Sequence, residues 1–223
     1  MNHSITSHPC DNVSLAQLTE LAQSGNSEAQ YILGRLYNDE RIDGSEEDKL
    51  SFYWLQQAAE QGHCASQERL AYMYGNGKGC RKNLSLAALW YKKSALQESS
   101  YSQYQMGYCY YIGKGIKQDY QQAIYWFRKA ADQGDDDAYN SIGWMYKCGH
   151  GVEQNYSLAL EWFHKSAECN NSSGWYNLGC MYRDGHGTAQ DLQQALYWFK
   201  KAQPTGKWNV DEEIRKLEAQ LHA

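Results

Sequence analysis

The chain has 223 residues and a formal net charge of −5, and 42% of its residues are hydrophobic. An acidic balance disfavours binding to the phosphate backbone of nucleic acid, which selects basic surfaces. The sequence contains no apolar run of roughly 18 residues, the length that suggests a membrane span, and its N-terminus lacks the apolar stretch of a secretory signal. We therefore expect a cytoplasmic protein that binds neither nucleic acid nor membrane.

Residues 13–24 predict the first helix of the chain. Leu15, Leu18 and Leu21 recur there at helical spacing, which favours one apolar face. We assign residues 1–26 to an N-terminal segment whose helix caps the elements that follow.

A period of 36 residues organises the chain from residue 27 to residue 207, with one additional residue in the first copy. Tryptophan marks the period at Trp54, Trp90, Trp126, Trp162 and Trp198. A small residue marks it at Gly34, Ala71, Gly107, Gly143 and Gly179. Self-similarity at a fixed period of this length is typical of stacked helix pairs. The period predicts five repeats, at 27–63, 64–99, 100–135, 136–171 and 172–207.

Each repeat divides into two predicted helices. In the fourth repeat the first helix carries an apolar stripe through Tyr139, Ile142 and Tyr146, at the spacing of one helix face. Gly143 lies in this stripe and would let the second helix approach closely. We expect the tryptophan ladder to form the core of the second helices.

The ends of the predicted second helices have their own signals. An Asn or Asp that can act as N-cap stands at Asn83, Asp119, Asn155 and Asp191. Residues that accept the left-handed conformation of a helix C-cap stand at Gly62, Gly134, Asn170 and Gly206. Glu98 occupies the same position in the second repeat and does not fit this pattern.

The third repeat, which reads SQYQMGYCYYIGKGIKQDYQQAIYWFRKAADQG, resembles the Sel1-like repeat family, a branch of the tetratricopeptide-like helical repeats. The resemblance extends over nearly the whole chain. It implies an all-α fold, a right-handed α-α superhelix (solenoid) of about five helix-turn-helix repeats with N- and C-terminal capping helices, and a bacterial protein. It also implies that the first helices line a concave groove.

Four loops carry two glycines separated by one residue, at Gly77/Gly79, Gly113/Gly115, Gly149/Gly151 and Gly185/Gly187. Positive φ angles at these glycines would turn the chain between antiparallel helices. A phosphate-binding loop requires a different spacing followed by Ser or Thr. Cys148 and His150 form one close pair, but a structural zinc site usually has four ligands. We interpret these loops as turns and expect no metal.

Catalytic signals are absent from the sequence. No Gly-x-Ser-x-Gly motif occurs, and the acidic clusters at 46–48 and 135–137 are interpreted as a loop filler and the charged start of a helix. The 7 cysteines are an odd number and stand at unrelated repeat positions, which favours reduced thiols. We expect no catalytic residue and no cofactor.

The positions that flank the small residue of each first helix define the candidate binding groove. They are rich in Tyr and Trp with scattered Arg and Lys, as in protein-recognition surfaces. The candidate residues are Tyr31, Arg35, Tyr72, Tyr101, Tyr104, Tyr108, Tyr111, Asn140, Trp144, Lys147, Tyr176 and Arg183. In the alternative interpretation, these aromatic side chains only pack between neighbouring repeats.

Residues 208–223 predict a C-terminal capping helix. Val210, Ile214, Leu217 and Leu221 share one face, which would shield the last repeat from water. We expect a monomer; the alternative is a homodimer in which this apolar stripe seats a second copy.

These features together favour a non-enzymatic scaffold or adaptor that binds a protein or peptide in its groove. Two alternatives come from the family resemblance. The first is an immunity or antidote protein that blocks a toxic effector. The more remote one is a hydrolase similar to cysteine-rich members of the family, whose cysteine spacing this chain does not share.

Overall fold

The computed structural model describes residues 14–38 and 46–222, and within these ranges the chain is helical, with no β-strand. The described α-helices are α1 (Leu15–Gln23), α2 (Ser27–Leu36), α3 (Glu46–Glu60), α4 (Cys64–Asn76), α5 (Leu84–Ala95), α6 (Ser100–Ile112), α7 (Tyr120–Ala131), α8 (Asp136–Cys148), α9 (Tyr156–Glu168), α10 (Ser172–Asp184), α11 (Leu192–Ala202) and α12 (Asp211–Leu221). A short 3-10 turn lies at Gln203–Thr205. In the part of the chain that the structure describes, no helix is long and apolar enough to cross a membrane.

The chain divides into two compact units between Ser102 and Gln103, inside α6. In the first unit α2 packs on α3 and α4 packs on α5. In the second unit α8 packs on α9, α10 packs on α11, and α12 packs on α11. Each unit is therefore built from helix pairs, as the period predicts.

In the second unit, the two helices of a pair approach closely at a glycine of the first helix, which has no side chain. A Cβ atom added at Gly143 would lie 2.7 Å from Cδ1 of Phe163, which is closer than any real Cβ contact. Gly107 and Phe127 repeat this contact, as do Gly179 and Phe199. The small residue of the stripe therefore allows the close approach that its position in the sequence predicts.

The prediction that the tryptophan ladder forms the core is wrong at three of its five positions. Trp90 and Trp126 are 7% and 6% exposed, but Trp54, Trp162 and Trp198 are only partly buried. The residue that follows the tryptophan points into the helix pair, and Phe163 is 0% exposed. Trp162 lies at the edge of the pair, where the Lys165 ammonium covers its ring at 4.1 Å.

The predicted helix starts are confirmed. At each of the four positions the Asn or Asp side chain accepts a hydrogen bond from the backbone N–H three residues further on, at 2.9–3.0 Å. Such a cap satisfies a backbone donor that has no partner inside the helix.

The predicted left-handed conformation at the ends of the second helices is confirmed. It also occurs in the second repeat, whose residue does not fit the sequence pattern. Gly62, Gly134, Gly206 and Asn170 have positive φ angles, and Glu98 also adopts φ 66°. The repeat imposes the left-handed conformation at this position, although Glu carries a Cβ that disfavours it.

The interpretation of the acidic cluster at 46–48 as a loop filler is wrong, because these residues form the first turn of α3. Glu46 and Glu47 are exposed at the start of the helix, whereas Asp48 is fully buried. The Asp48 carboxylate lies 3.5 Å from the ammonium of Lys78, the residue between two loop glycines. A buried carboxylate requires such a partner, because removing a charge from water is unfavourable.

Helix α12 closes the second unit with the apolar stripe that the sequence contains. Val210, Ile214 and Leu217 are buried in a cluster with Ala195 and Phe199 of α11. Leu221 is the stripe residue that stays exposed. The apolar face that a dimer through this helix requires is therefore mostly covered by the chain itself.

Replacing Glu98 by Gly is expected to stabilise the protein. The left-handed conformation costs an ordinary residue about 1–2 kcal/mol, and Gly recovers most of this cost. For a chain of this size the melting temperature should rise by about 2–4 °C per kcal/mol, as measured by circular dichroism. Asn170→Gly is the matched control with a smaller expected gain, because Asn tolerates this conformation. An unchanged or lower melting temperature for Glu98→Gly would contradict the prediction.

Replacing Phe163 by Ala is expected to destabilise the protein by about 3–5 kcal/mol, because the fully buried ring leaves a cavity. Trp162→Ala should cost less, since part of its ring already contacts water. The measurement is the urea midpoint of each variant, followed by circular dichroism. A larger loss of stability for Trp162→Ala than for Phe163→Ala would contradict the assignment of Phe163 to the core.

Candidate partner-binding site

An open cavity of about 150 Å³ lies in the second unit, on the first-helix side of its repeats. It is lined by Tyr104, Tyr108, Tyr111, Phe127, Asn140, Ser141 and Trp144. Helices α6 and α8 supply all of these residues except Phe127. Five of the predicted groove residues therefore meet around one cavity.

Tyr108 and Trp144 occupy the same repeat position, one residue after the small glycine. Because the glycine faces the paired helix, the next side chain along the helix points away from it. Both side chains are 39% exposed. They are the aromatic walls of the cavity that a ligand can reach.

Hydrogen bonds hold the Trp144 ring in position. Its indole N–H donates to the Tyr111 hydroxyl at 3.1 Å, and that hydroxyl lies 3.1 Å from Nδ1 of His150. The His150 ring stacks on Tyr120, with ring centroids 4.6 Å apart and planes at 5°. Tyr111 thus links the exposed tryptophan to the helix pair of the preceding repeat.

Tyr104 forms a half-buried part of the cavity wall. Its ring centroid lies 5.6 Å from that of Phe127. Burial raises the pKa of Tyr104 to about 12, and the charge of the Asp137 carboxylate adds to this rise, while a hydrogen bond with Ser141 opposes it. The Tyr104 phenol is therefore neutral at physiological pH.

Two lysines lie beside the exposed walls. The Lys147 ammonium lies 5.0 Å from the Trp144 ring centroid, and the Lys114 ammonium lies 6.0 Å from the Tyr108 ring centroid. The Asp184 carboxylate interacts with Lys147 over a longer distance, and its pKa is lowered mainly by Arg183 and also by Lys147. The cavity thus combines apolar walls with a positively charged rim.

Asn140 places an amide at the same cavity. Its side-chain oxygen accepts a hydrogen bond from the Asn177 amide at 2.7 Å. This bond fixes the orientation of the group and directs the NH₂ of Asn140 toward other acceptors. A backbone carbonyl of a bound peptide is one acceptor that fits such a donor.

Two predicted groove residues contact the C-terminal segment of the chain. The Tyr176 ring stacks on Trp208, with centroids 4.3 Å apart and planes at 9°. The Arg183 guanidinium donates to both oxygens of Asp184 at 2.7 and 3.0 Å and to Glu213 at 2.8 Å. The Arg183 hydrogen bond holds the pKa of Asp184 below its usual range. These side chains pack within the protein, as the alternative interpretation of the groove expects.

The four groove residues of the first unit do not gather around one described cavity. Tyr31 is half-buried, with its ring 4.7 Å from that of His63 and the Arg35 guanidinium 5.7 Å from its centroid. Tyr72 and Tyr101 are 51% and 45% exposed. They are accessible aromatic side chains.

The sequence patterns do not identify three residues of the site: Phe127 and Ser141, which line the cavity, and Lys114, which lies beside it. Phe127 follows Trp126, and the sequence allows either ring to face the paired helix; Phe127 is the one that stands opposite Gly107. Lys114 lies between two loop glycines, a position that predicts only a turn. Ser141 carries no pattern that could have identified it, because its role depends on the hydrogen bond with Tyr104.

The loop that contains Cys148 and His150 is a turn. Gly149 and Gly151 have φ angles of 72° and 69°, and a Cβ at Gly151 would lie 2.7 Å from the Tyr120 carbonyl oxygen. Across residues 14–38 and 46–222, no group of three or more His, Cys, Asp or Glu side chains could hold a metal ion.

The six cysteines that the structure describes are all unpaired thiols; Cys10 lies outside the described residues. Cys109 and Cys180 are buried, whereas Cys148 and Cys169 are exposed. Burial raises the pKa of Cys109 to about 11. It also raises the pKa of Cys180.

Comparison with known proteins relates this fold to a family of helical repeats. The family model described as Sel1 repeat matches residues 27–63, 64–99, 100–135, 136–171 and 176–202. The chain is similar to the Sel1 repeat protein from Oxalobacter formigenes, with a TM-score of 0.78 and 32% identity over 87% of this chain and 81% of that chain.

Two Escherichia coli proteins are also similar. A protective antigen of uropathogenic strains, which displays the same repeat fold, has a TM-score of 0.80 and 35% identity over 87% of this chain and 42% of its own. The Sel1-repeat-containing protein YbeQ of strain K12 is 48% identical over 54 residues, which are 24% of this chain and 17% of YbeQ. The chain thus spans less than half the length of either protein.

Thiol modification is expected to follow burial. With an aromatic disulfide reagent at neutral pH, Cys148 and Cys169 should react before Cys109 and Cys180, because the reagent reaches only exposed thiols directly. Partial burial raises the pKa of Cys148 as well, so access is what separates it from the buried thiols. Peptide mapping after short labelling measures the order, and labelling in urea provides the control in which all thiols react. Early labelling of Cys109 in the folded protein would contradict the burial of this thiol in the structure.

Proposed function

From the premise that this chain belongs to the Sel1 repeat family, we propose that it is a non-enzymatic scaffold or adaptor that binds a segment of another protein at the cavity between α6 and α8. Sel1 repeats typically form scaffolds for protein–protein interaction. The observation that carries the proposal is the pair of exposed aromatic walls, Tyr108 and Trp144, around an open cavity.

The chemistry of these walls supports recognition of a protein segment. Tyr and Trp dominate the binding energy of protein interfaces, because they bury a large apolar area with few rotatable bonds. The hydrogen bond from Trp144 to Tyr111 fixes one of the two rings before a ligand arrives. Less conformational entropy is then lost on binding.

Tyr108→Ala and Trp144→Ala are each expected to weaken binding by about 2 kcal/mol, roughly thirtyfold in affinity. The partner is first captured from a lysate of the source organism, identified by mass spectrometry and purified. Its affinity for each variant is then measured by calorimetry. The helical circular dichroism signal should stay unchanged, because neither side chain lies in the contact between paired helices.

Tyr125→Ala is the matched control for these variants. Tyr125 is 50% exposed, also belongs to the second unit, and does not line the cavity, so its loss should leave the affinity unchanged. If the captured partner binds Tyr108→Ala and Trp144→Ala with normal affinity, the proposed site is wrong. The identity of the captured protein also distinguishes an adaptor from an antidote, since an antidote would retain a toxic effector.

The non-catalytic part of the proposal has its own test. Purified protein is incubated with a panel of ester, amide and glycoside substrates, and no turnover above buffer is expected. Turnover that co-purifies with the folded protein through successive columns would overturn this part.

A further inference from the structure

The cavity between α6 and α8 has the size of a single aromatic ring. Its volume is about 150 Å³, and an apolar protein cavity of about this volume is known to take up benzene. Tyr108 and Trp144 form its exposed walls, and the fully buried Phe127 forms its floor. One phenyl group would therefore fill the space.

One exposed wall of this cavity and its floor are held before any ligand enters. Phe127 is fully buried and packs against α6 at Gly107, where a side chain would not fit. Trp144 is held by the Tyr111 hydroxyl, and Tyr111 by His150. Because Phe127 and Trp144 are held in place, the cavity selects a guest by size and shape, since adapting to a different guest would break these contacts.

The charges around the cavity differ between its two ends. Lys114 follows the C-terminal end of α6, and Lys147 lies in the last turn of α8. Asp136 and Asp137 lie in the first turn of α8, about 15 Å away along the helix axis. Asp184 also interacts with Lys147, but Asp184 and Glu213 are bound by Arg183, so the lysine end keeps a positive balance. It attracts a carboxylate and repels a cation.

The rim charge also decides between two guests that aromatic walls could hold. Tyr and Trp rings attract cations as well as apolar groups. Here the ammonium groups of Lys114 and Lys147 already lie over the Tyr108 and Trp144 rings. A cationic guest would meet like charge, whereas a neutral ring with a neighbouring carboxylate would meet complementary charge.

On the basis of the proposed function, we infer that this cavity receives a phenylalanine side chain of the partner, and that a carboxylate next to this phenylalanine binds Lys114 and Lys147. The Asn140 amide NH₂ donates to a backbone carbonyl of the same segment. The phenyl ring supplies the apolar contact, and the carboxylate fixes the direction in which the segment lies across α6 and α8.

Synthetic peptides test this inference without knowledge of the partner. The probe is the blocked peptide Gly-Glu-Phe-Glu-Gly, compared with one in which Ala replaces Phe and one in which Lys replaces both Glu. Binding is followed by NMR through the indole N–H signal of Trp144, one of 8 tryptophans, which is assigned from its loss in Trp144→Phe. The acidic Phe peptide should bind at least tenfold more tightly than either comparison peptide.

Protein variants separate the contributions of charge and shape. Replacing Lys114 and Lys147 together by Glu should reverse the preference, so that the basic Phe peptide binds more tightly. Tyr108→Ala should abolish binding of the acidic peptide, and Tyr125→Ala should leave it unchanged. Circular dichroism confirms that each variant is folded.

Three results would overturn the inference. They are equal binding of the Phe and Ala peptides, equal binding of the acidic and basic peptides, and a Trp144 signal that responds to tetramethylammonium at a lower concentration than to the acidic peptide. If one of these occurs while Tyr108→Ala still weakens binding of the captured partner, the proposed function stands and only the chemistry of the guest is wrong. If the captured partner binds the Tyr108→Ala variant with normal affinity, the proposed function fails as well.

Discussion

The contact between a glycine of the first helix and the aromatic ring of the second helix is the constraint on which each repeat of the second unit depends. The ring of Phe163 occupies the space that a side chain at position 143 would need, and Gly107 and Gly179 face Phe127 and Phe199 in the same way. Because the glycine must face its paired helix, the rotation of the first helix about its axis is set. The residue after the glycine then points away from the paired helix. Tyr108 and Trp144 are exposed at this position, whereas Cys180 at the same position is buried in the cluster with Val210 and Ile214.

The glycine loops add a second constraint, between consecutive repeats. The second glycine of the loop lies against the start of the preceding second helix, so that Gly151 meets Tyr120 and Gly187 meets Tyr156. The residue between the glycines then reaches the same helix. His150 stacks on Tyr120, His186 stacks on Tyr156, and Lys78 pairs with Asp48. The Gly-x-Gly loop, which resembles a ligand-binding motif in the sequence, therefore packs consecutive repeats against each other.

These two constraints meet at the candidate site. His150, held by its stacking on Tyr120, lies against the hydroxyl of Tyr111, and this hydroxyl accepts the indole N–H of Trp144. The contact that joins two repeats thus also fixes a wall of the cavity. Lys114 is likewise the residue between two loop glycines, but its ammonium lies near the Tyr108 ring. One repeat position therefore supplies packing in one loop and rim charge in another.

The sequence by itself determined the helix-pair repeats, the Asn and Asp caps and the glycine turns, because these features depend on local backbone conformation and on a period that can be counted. It did not identify Phe127 and Phe163 as the core side chains, since Trp and Phe are adjacent and either could face the paired helix. Only the tertiary structure decided which aromatic groove residues remain accessible. Tyr104 and Tyr176 occupy the same repeat position, yet Tyr104 lines a cavity and Tyr176 is covered by Trp208. The physical reason is that exposure depends on side chains that are distant in sequence, such as Trp208 and Glu213, whose positions no local pattern encodes.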